Sequence, residues 1–125
     1  MKYSYRDLLG ILSLMPGIKS KELSKVVSYV LTSNVITIEN TLKSYEEARQ
    51  KLLSEYTIPG KDDEGRIFKN EDCEHDWKID IENLLNVTVE VSIRTVPLSC
   101  LTDSCGNDIY FSYEEMRAIY YMIEV

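Results

Sequence analysis

Residues 20–56 read SKELSKVVSYVLTSNVITIENTLKSYEEARQKLLSEY, and the spacing of their apolar side chains decides the fold. Leu31, Val35, Ile38, Leu42, Tyr45, Leu52 and Tyr56 follow one another at intervals of four and three, with Arg49 filling the one position between Tyr45 and Leu52. Such a repeat marks an α-helix packed along its length against other helices. A helix of about 36 residues spans roughly 54 Å. Residues 26–38 are rich in Val, Ile and Thr, a composition that in isolation suits a strand. The four-three spacing nevertheless runs through them without a Gly or Pro, so a helix is expected. A chain of 125 residues is too small to cover that rod on every side. A homo-oligomer, dimer or higher, formed through the long helix is therefore expected, or a partner in its place.

Upstream, Ser4 is placed to cap a first helix over residues 5–14, with Asp7 at the third helical position. Pro16-Gly17 is expected to end it, and Ser20 to cap the long helix. Residues 1–56 then form a long helical hairpin. Downstream, Ile58-Pro59-Gly60 stops the rod, Glu64-Gly65 reads as a tight turn, and residues 66–69 as a short strand. The acidic residues 70–76 complete a section, 57–76, expected to be an acidic loop or β-turn arm.

Residues 77–125 read as a small α/β part. Asp76 is placed to cap a helix over 77–85 that turns Trp77, Ile81, Leu84 and Leu85 inward. Residues 87–96 alternate, with Val89, Val91 and Ile93 on one face and Thr88, Glu90, Ser92 and Arg94 on the other, the pattern of a strand covered on one side. Pro97 limits it. Residues 100–107 form a loop with a turn at Gly106-Asn107, and 109–111 are a candidate second strand. Ser112 with Glu115 makes a capping box for a final helix over 113–124 that buries Met116, Ile119, Tyr120 and Ile123. The expected fold is a single α+β domain: a long helical hairpin, a small antiparallel β element and a C-terminal helix.

The net charge is −7, which disfavours direct binding to nucleic acid and favours solubility or a basic partner. No apolar run approaches the ~18 residues of a membrane span. The N-terminal residues lack the features of a signal peptide, and three cysteines leave one over from any disulfide, so a cytoplasmic protein is expected.

Little in the chain points to catalysis. Cys73, His75, Cys100 and Cys105 are a donor set that structural zinc accepts, but a one-residue gap between Cys73 and His75 is tighter than paired ligands use. A thiol and imidazole pair for nucleophilic chemistry would place Cys73 in an acidic stretch that raises its pKa and lowers its reactivity. The carboxylates of 62–76 fit no calcium loop. No metal, cofactor or catalytic residue is therefore expected. The C-terminal aromatics are more informative. Arg94 and Arg117, with Tyr110, Tyr113 and Tyr121, are the candidate partner-binding or ligand-binding residues, since rings beside guanidinium groups can clamp a peptide or a nucleotide. Tyr120 falls on the apolar stripe of its helix and is expected in the core.

Taken in order, residues 45–56, the acidic turn Asp62-Asp63-Glu64-Gly65, residues 81–91 and a capped terminal helix ending Met122-Ile123-Glu124 resemble a group of small, mostly uncharacterised proteins of tailed bacteriophages and prophages. The resemblance implies a helical hairpin, a β-containing C-terminal part, a phage origin and a bacterial cytoplasm as the place of action. It implies no active site. The expected function is a non-enzymatic inhibitor of a host anti-phage defence, binding a host protein or sequestering a small nucleotide signal. The alternative is a virion assembly or structural adaptor.

Overall fold

The computed structural model describes residues 2–60, 65–103 and 105–124. Its fold is α+β. A short strand β1 (Lys2–Ser4) runs directly into helix α1 (Tyr5–Lys19), and helix α2 (Lys25–Tyr56) follows after a five-residue link. Strands β2 (Thr57–Pro59) and β3 (Arg66–Phe68) pair antiparallel, and helix α3 (Glu71–Leu85) leads to β4 (Thr88–Glu90), which pairs antiparallel with β1. Strand β5 (Val96–Pro97), helix α4 (Tyr113–Ile119) and β6 (Ile123–Glu124) complete the chain, with β5 and β6 parallel. Among the described residues no helix is long and apolar enough to cross a membrane.

The β-branched stretch is helical throughout, and its stripe is the centre of the molecule. Leu31, Val35, Ile38, Leu42 and Tyr45 are all buried. Two clusters cover them. Met15 and Ile18 of α1 join Val27, Val30, Leu31 and Val35 with Val96, Leu101, Ala118, Ile119 and Met122. Tyr5 and Leu8 join Ile38, Leu42, Tyr45 and Val91, with Leu84 and Leu85 of α3 packed alongside. The Tyr5 and Tyr45 rings lie 5.4 Å apart. The stripe is thus filled within one chain as far as Tyr45. Beyond it, Leu52 and Tyr56 are half-buried, and the Tyr56 hydroxyl donates to Asp80 Oδ2 of α3 at 2.6 Å.

Pro16 does not end α1, as the sequence had suggested. The helix runs on to Lys19, and Ser20, expected to open α2, closes α1 by donating its backbone N–H to the Pro16 carbonyl at 3.2 Å. An interior proline costs about 3 kcal/mol. Carrying the helix through it buries Met15 and Ile18, each contributing roughly 1.5–3 kcal/mol, so burial offsets the lost bond. Ser24 caps α2 instead, its hydroxyl accepting from the Val27 N–H.

Residues 71–76, read as loop, are the first turns of α3. Asn70, not Asp76, is the cap, accepting from the Cys73 N–H at 2.8 Å. Glu71, Asp72 and Glu74 sit at the positive end of the helix dipole, where carboxylates are favoured. Trp77 meets Phe68 of β3 with ring centroids 5.5 Å apart. The turn expected at Glu64-Gly65 lies partly outside the described residues, and Gly65 has a φ of +71°.

The strand expected over 87–96 is laddered only at its two ends. Its faces are assigned correctly: Val91 is buried and Val89 and Ile93 half-buried, while Glu90, Ser92 and Arg94 are exposed. Between the ends a single buried side chain replaces a neighbouring strand. Asn34 of α2 accepts the Arg94 N–H at 2.9 Å and donates to the Arg94 carbonyl at 3.0 Å. Residues 109–111 form no strand. Only an isolated bridge, Thr102 to Asp108, stands nearby.

Candidate functional site

Two capping boxes set the site's walls. Ser4 and Asp7 start α1 immediately after β1, which brings Tyr3 to the helix mouth. Ser112 and Glu115 start α4. Lys21 Nζ reaches Glu115 Oε1 at 3.4 Å, which ties the start of α4 to the α1–α2 link. The Glu115 carboxyl is held below its usual value, chiefly by the Ser112 N–H and then by Lys21. The two helices come close at this end: a Cβ added to Gly17 would lie 3.2 Å from Glu115 Oε2. Toward the N-terminus of α1 they leave a groove of about 420 Å³.

The α1 side of the groove carries Arg6, Asp7, Gly10, Ile11 and Leu14, with Tyr3 at its mouth; the opposite wall has Glu114, Arg117, Ala118, Tyr120 and Tyr121. Among the described residues its lining contains no Ser, Cys or His. A Cβ at Gly10 would meet nothing within 4 Å, so this glycine leaves open space in the groove. Tyr3 and Tyr121 form an edge-to-face pair at 5.8 Å. Burial, and then Tyr3, push the Tyr121 hydroxyl up to about 12; burial and Asp7 raise Tyr3. Both phenols keep their protons at neutral pH and act as hydrogen-bond donors rather than bases.

The charged groups are not equivalent. Arg6 is engaged by Glu82 of α3. Asp7 accepts from the Ser4 N–H at 3.4 Å. Arg117 lies over the Tyr113 ring at 5.9 Å from its centroid and has no ion pair among the described residues.

Of the residues singled out from sequence, Arg117 and Tyr121 line the groove and Tyr113 flanks it through Arg117. Tyr110 is exposed, precedes α4 and does not line it. Arg94 does not belong to it either: its backbone is bound to Asn34 and its guanidinium lies over Tyr29 of α2 at 5.7 Å. Tyr120, expected in the core, is 66% exposed. The α-helix ends at Ile119, and a tighter 3₁₀ turn over residues 120–122 swings Tyr120 out and Met122 in. Tyr3, Arg6 and Asp7 were missed. For the α1 wall the signal was present in Asp7, Gly10 and Leu14, spaced three and four on one helix face, with a glycine where a helix would favour a larger residue.

The alternative chemistry is not assembled. Cys73 and His75 are two apart on α3, a spacing that turns side chains to different sides. Cys100 is half-buried and Cys105 exposed in the loop that follows, and all three thiols are free. No three His, Cys, Asp or Glu side chains among the described residues converge as metal ligands would. No family model, curated protein or solved structure matches this chain, so its function is argued from the groove and the surfaces around it.

Proposed function

We propose that this chain is a non-enzymatic, phage-encoded or prophage-encoded binding protein that acts in the bacterial cytoplasm as an inhibitor of a host anti-phage defence, holding a host protein in the α1–α4 groove. One observation carries this reading: an open, tyrosine-rimmed groove, whose described lining has no Ser, Cys or His, contains an arginine without an ion pair among the described residues. Aromatic rims with an available guanidinium are the composition of protein-recognition surfaces. In this reading α1 and α2 form the hairpin that supports the groove.

The nucleotide-sequestering version has less support. It would use Arg94 and Arg117 together on phosphates, whereas Arg94 is engaged with α2. A second reading, a virion assembly adaptor, draws on the outer face of α2, where Val26, Tyr29 and Ile36 are exposed. The same face is the proposed surface for self-association through the long helix.

Affinity capture from a bacterial lysate tests the first reading, with Gly10→Trp filling the groove as the control. A host protein retained by the native chain and lost with Gly10→Trp supports it. Recovery of the chain in purified virions supports the adaptor. A rise in melting temperature with cyclic dinucleotides or ADP-ribose supports the nucleotide version.

A further inference from the structure

We propose that the α1–α4 groove takes a short acidic segment of its protein partner, with a large apolar or aromatic side chain on the floor and an adjacent Asp or Glu on Arg117. This deepens the binding-protein reading above and rests on it.

The floor is apolar. Ile11, Leu14 and Ala118 line it beside Gly10, whose missing side chain leaves open space. A groove of about 420 Å³ lies within the size range of ligand pockets and holds one large side chain with its flanking backbone.

The polar wall selects the anchor's neighbour. Arg6 already has Glu82 as its counter-ion, and Asp7 already serves the α1 cap. Among the described residues Arg117 has no ion pair and stacks on the Tyr113 ring. Stacking on a ring occupies a guanidinium's face and leaves the N–H groups along its edge, which match a carboxylate as a two-pronged pair. The protonated hydroxyl of Tyr121 supplies a further donor to a carboxylate or a peptide carbonyl.

Charge also sets the ligand class. Arg6 is already offset by Glu82, so Arg117 is the one cation of the described lining left to meet a ligand, beside Asp7 and Glu114, on a chain of net charge −7. One uncommitted guanidinium can match one carboxylate. A nucleoside polyphosphate brings several charges and would meet Glu114 and Asp7 as well. Basic residues outside the docked segment would face the acidic remainder of the chain, as expected for a partner with complementary charge.

The test is selection of a random-peptide display library on the intact native chain, on Arg117→Glu and on Gly10→Trp, each first checked for cooperative unfolding. The expected result is that the native chain enriches Phe, Tyr, Trp or Leu beside Asp or Glu. Arg117→Glu should lose those peptides by at least about tenfold and enrich Lys or Arg at the acidic position, because a charge has been reversed in direct contact. Gly10→Trp should enrich neither set. Peptides that Gly10→Trp abolishes but whose acidic preference survives Arg117→Glu would overturn this proposal and leave the groove as a binding site. Peptides indifferent to Gly10→Trp would overturn both readings of the groove. Displacement of selected peptides by ADP-ribose or a cyclic dinucleotide, at concentrations that leave a scrambled-surface control unaffected, would replace the acidic segment with a nucleotide.

Discussion

The two faces of α2 carry similar side chains and meet different fates. On one, Leu31, Val35, Ile38 and Leu42 are 0–7% exposed. On the other, Val26, Tyr29 and Ile36 are 52–63% exposed. Composition does not separate them, since both contain Val and Ile. What separates them is continuity: the inner residues recur every three or four positions without a gap, whereas Ser33 and Asn40 interrupt the outer series. A helix buries the face that offers an unbroken stripe, because only that face excludes water along several turns.

The contrast is broken most directly by truncating two residues on the inner face and one on the outer. Ile38→Ala and Leu42→Ala should each cost about 2–5 kcal/mol in denaturant unfolding. Ile36→Ala should change stability by less than about 0.5 kcal/mol, as exposed substitutions do. A cost at Ile36 near that at Ile38 would mean that the outer face is covered in solution, and sedimentation at the same protein concentrations would then show an oligomer.

Asn34 sharpens the comparison, because it is a polar residue on the inner side that is 1% exposed. Asn34→Leu keeps the branched shape of the side chain and removes both bonds to Arg94, leaving a backbone N–H and carbonyl without partners. It should cost about 1–3 kcal/mol, with accelerated amide exchange in residues 91–95. An unchanged stability would show that water reaches this backbone.

Gly10 gives a smaller effect of opposite sign. It is helical and unobstructed, so Gly10→Ala should raise stability by roughly 0.5–1 kcal/mol. A loss would place an unseen neighbour in the groove.

The last test concerns the far end of α2, where the stripe is only half-covered. The bond from Tyr56 to Asp80 pushes the Tyr56 hydroxyl from 10.0 up to about 12. The native state therefore holds this proton more tightly than the unfolded chain. The stabilisation is complete below pH 10 and is lost as pH rises from 10 toward 12. Tyr56→Phe should flatten that part of the stability profile, while ultraviolet titration of the native protein should show Tyr56 and Tyr121 ionising above the usual tyrosine value. Ionisation of Tyr56 at the ordinary value of 10.0 would remove the Asp80 bond from the account.

Much of the fold was legible because it rests on local signals. Ser4 with Asp7 and Ser112 with Glu115 announced two helix starts, and both capping boxes are formed. The misreadings share one cause. Pro16, the acidic residues 71–76 and Tyr120 were judged by local preference, and each was decided by what lay opposite. Met15 and Ile18 found a core, Trp77 found Phe68, and Met122 displaced Tyr120. The candidate site was half legible. Arg117 and Tyr121 were identified through residue type and clustering. Arg6 and Tyr3 were not, since they are more than a hundred residues away in the chain.

By itself the sequence determined that α2 is a long helix, which face of it is buried, and where two helices begin, because periodicity and capping act over a few residues. Only the tertiary structure decided that α1 passes through its proline, that Asn34 stands in for a strand, and that Arg94 and Arg117 serve different surfaces. Those outcomes depend on contacts between distant segments, where the energy of burial and of paired polar groups exceeds local preference.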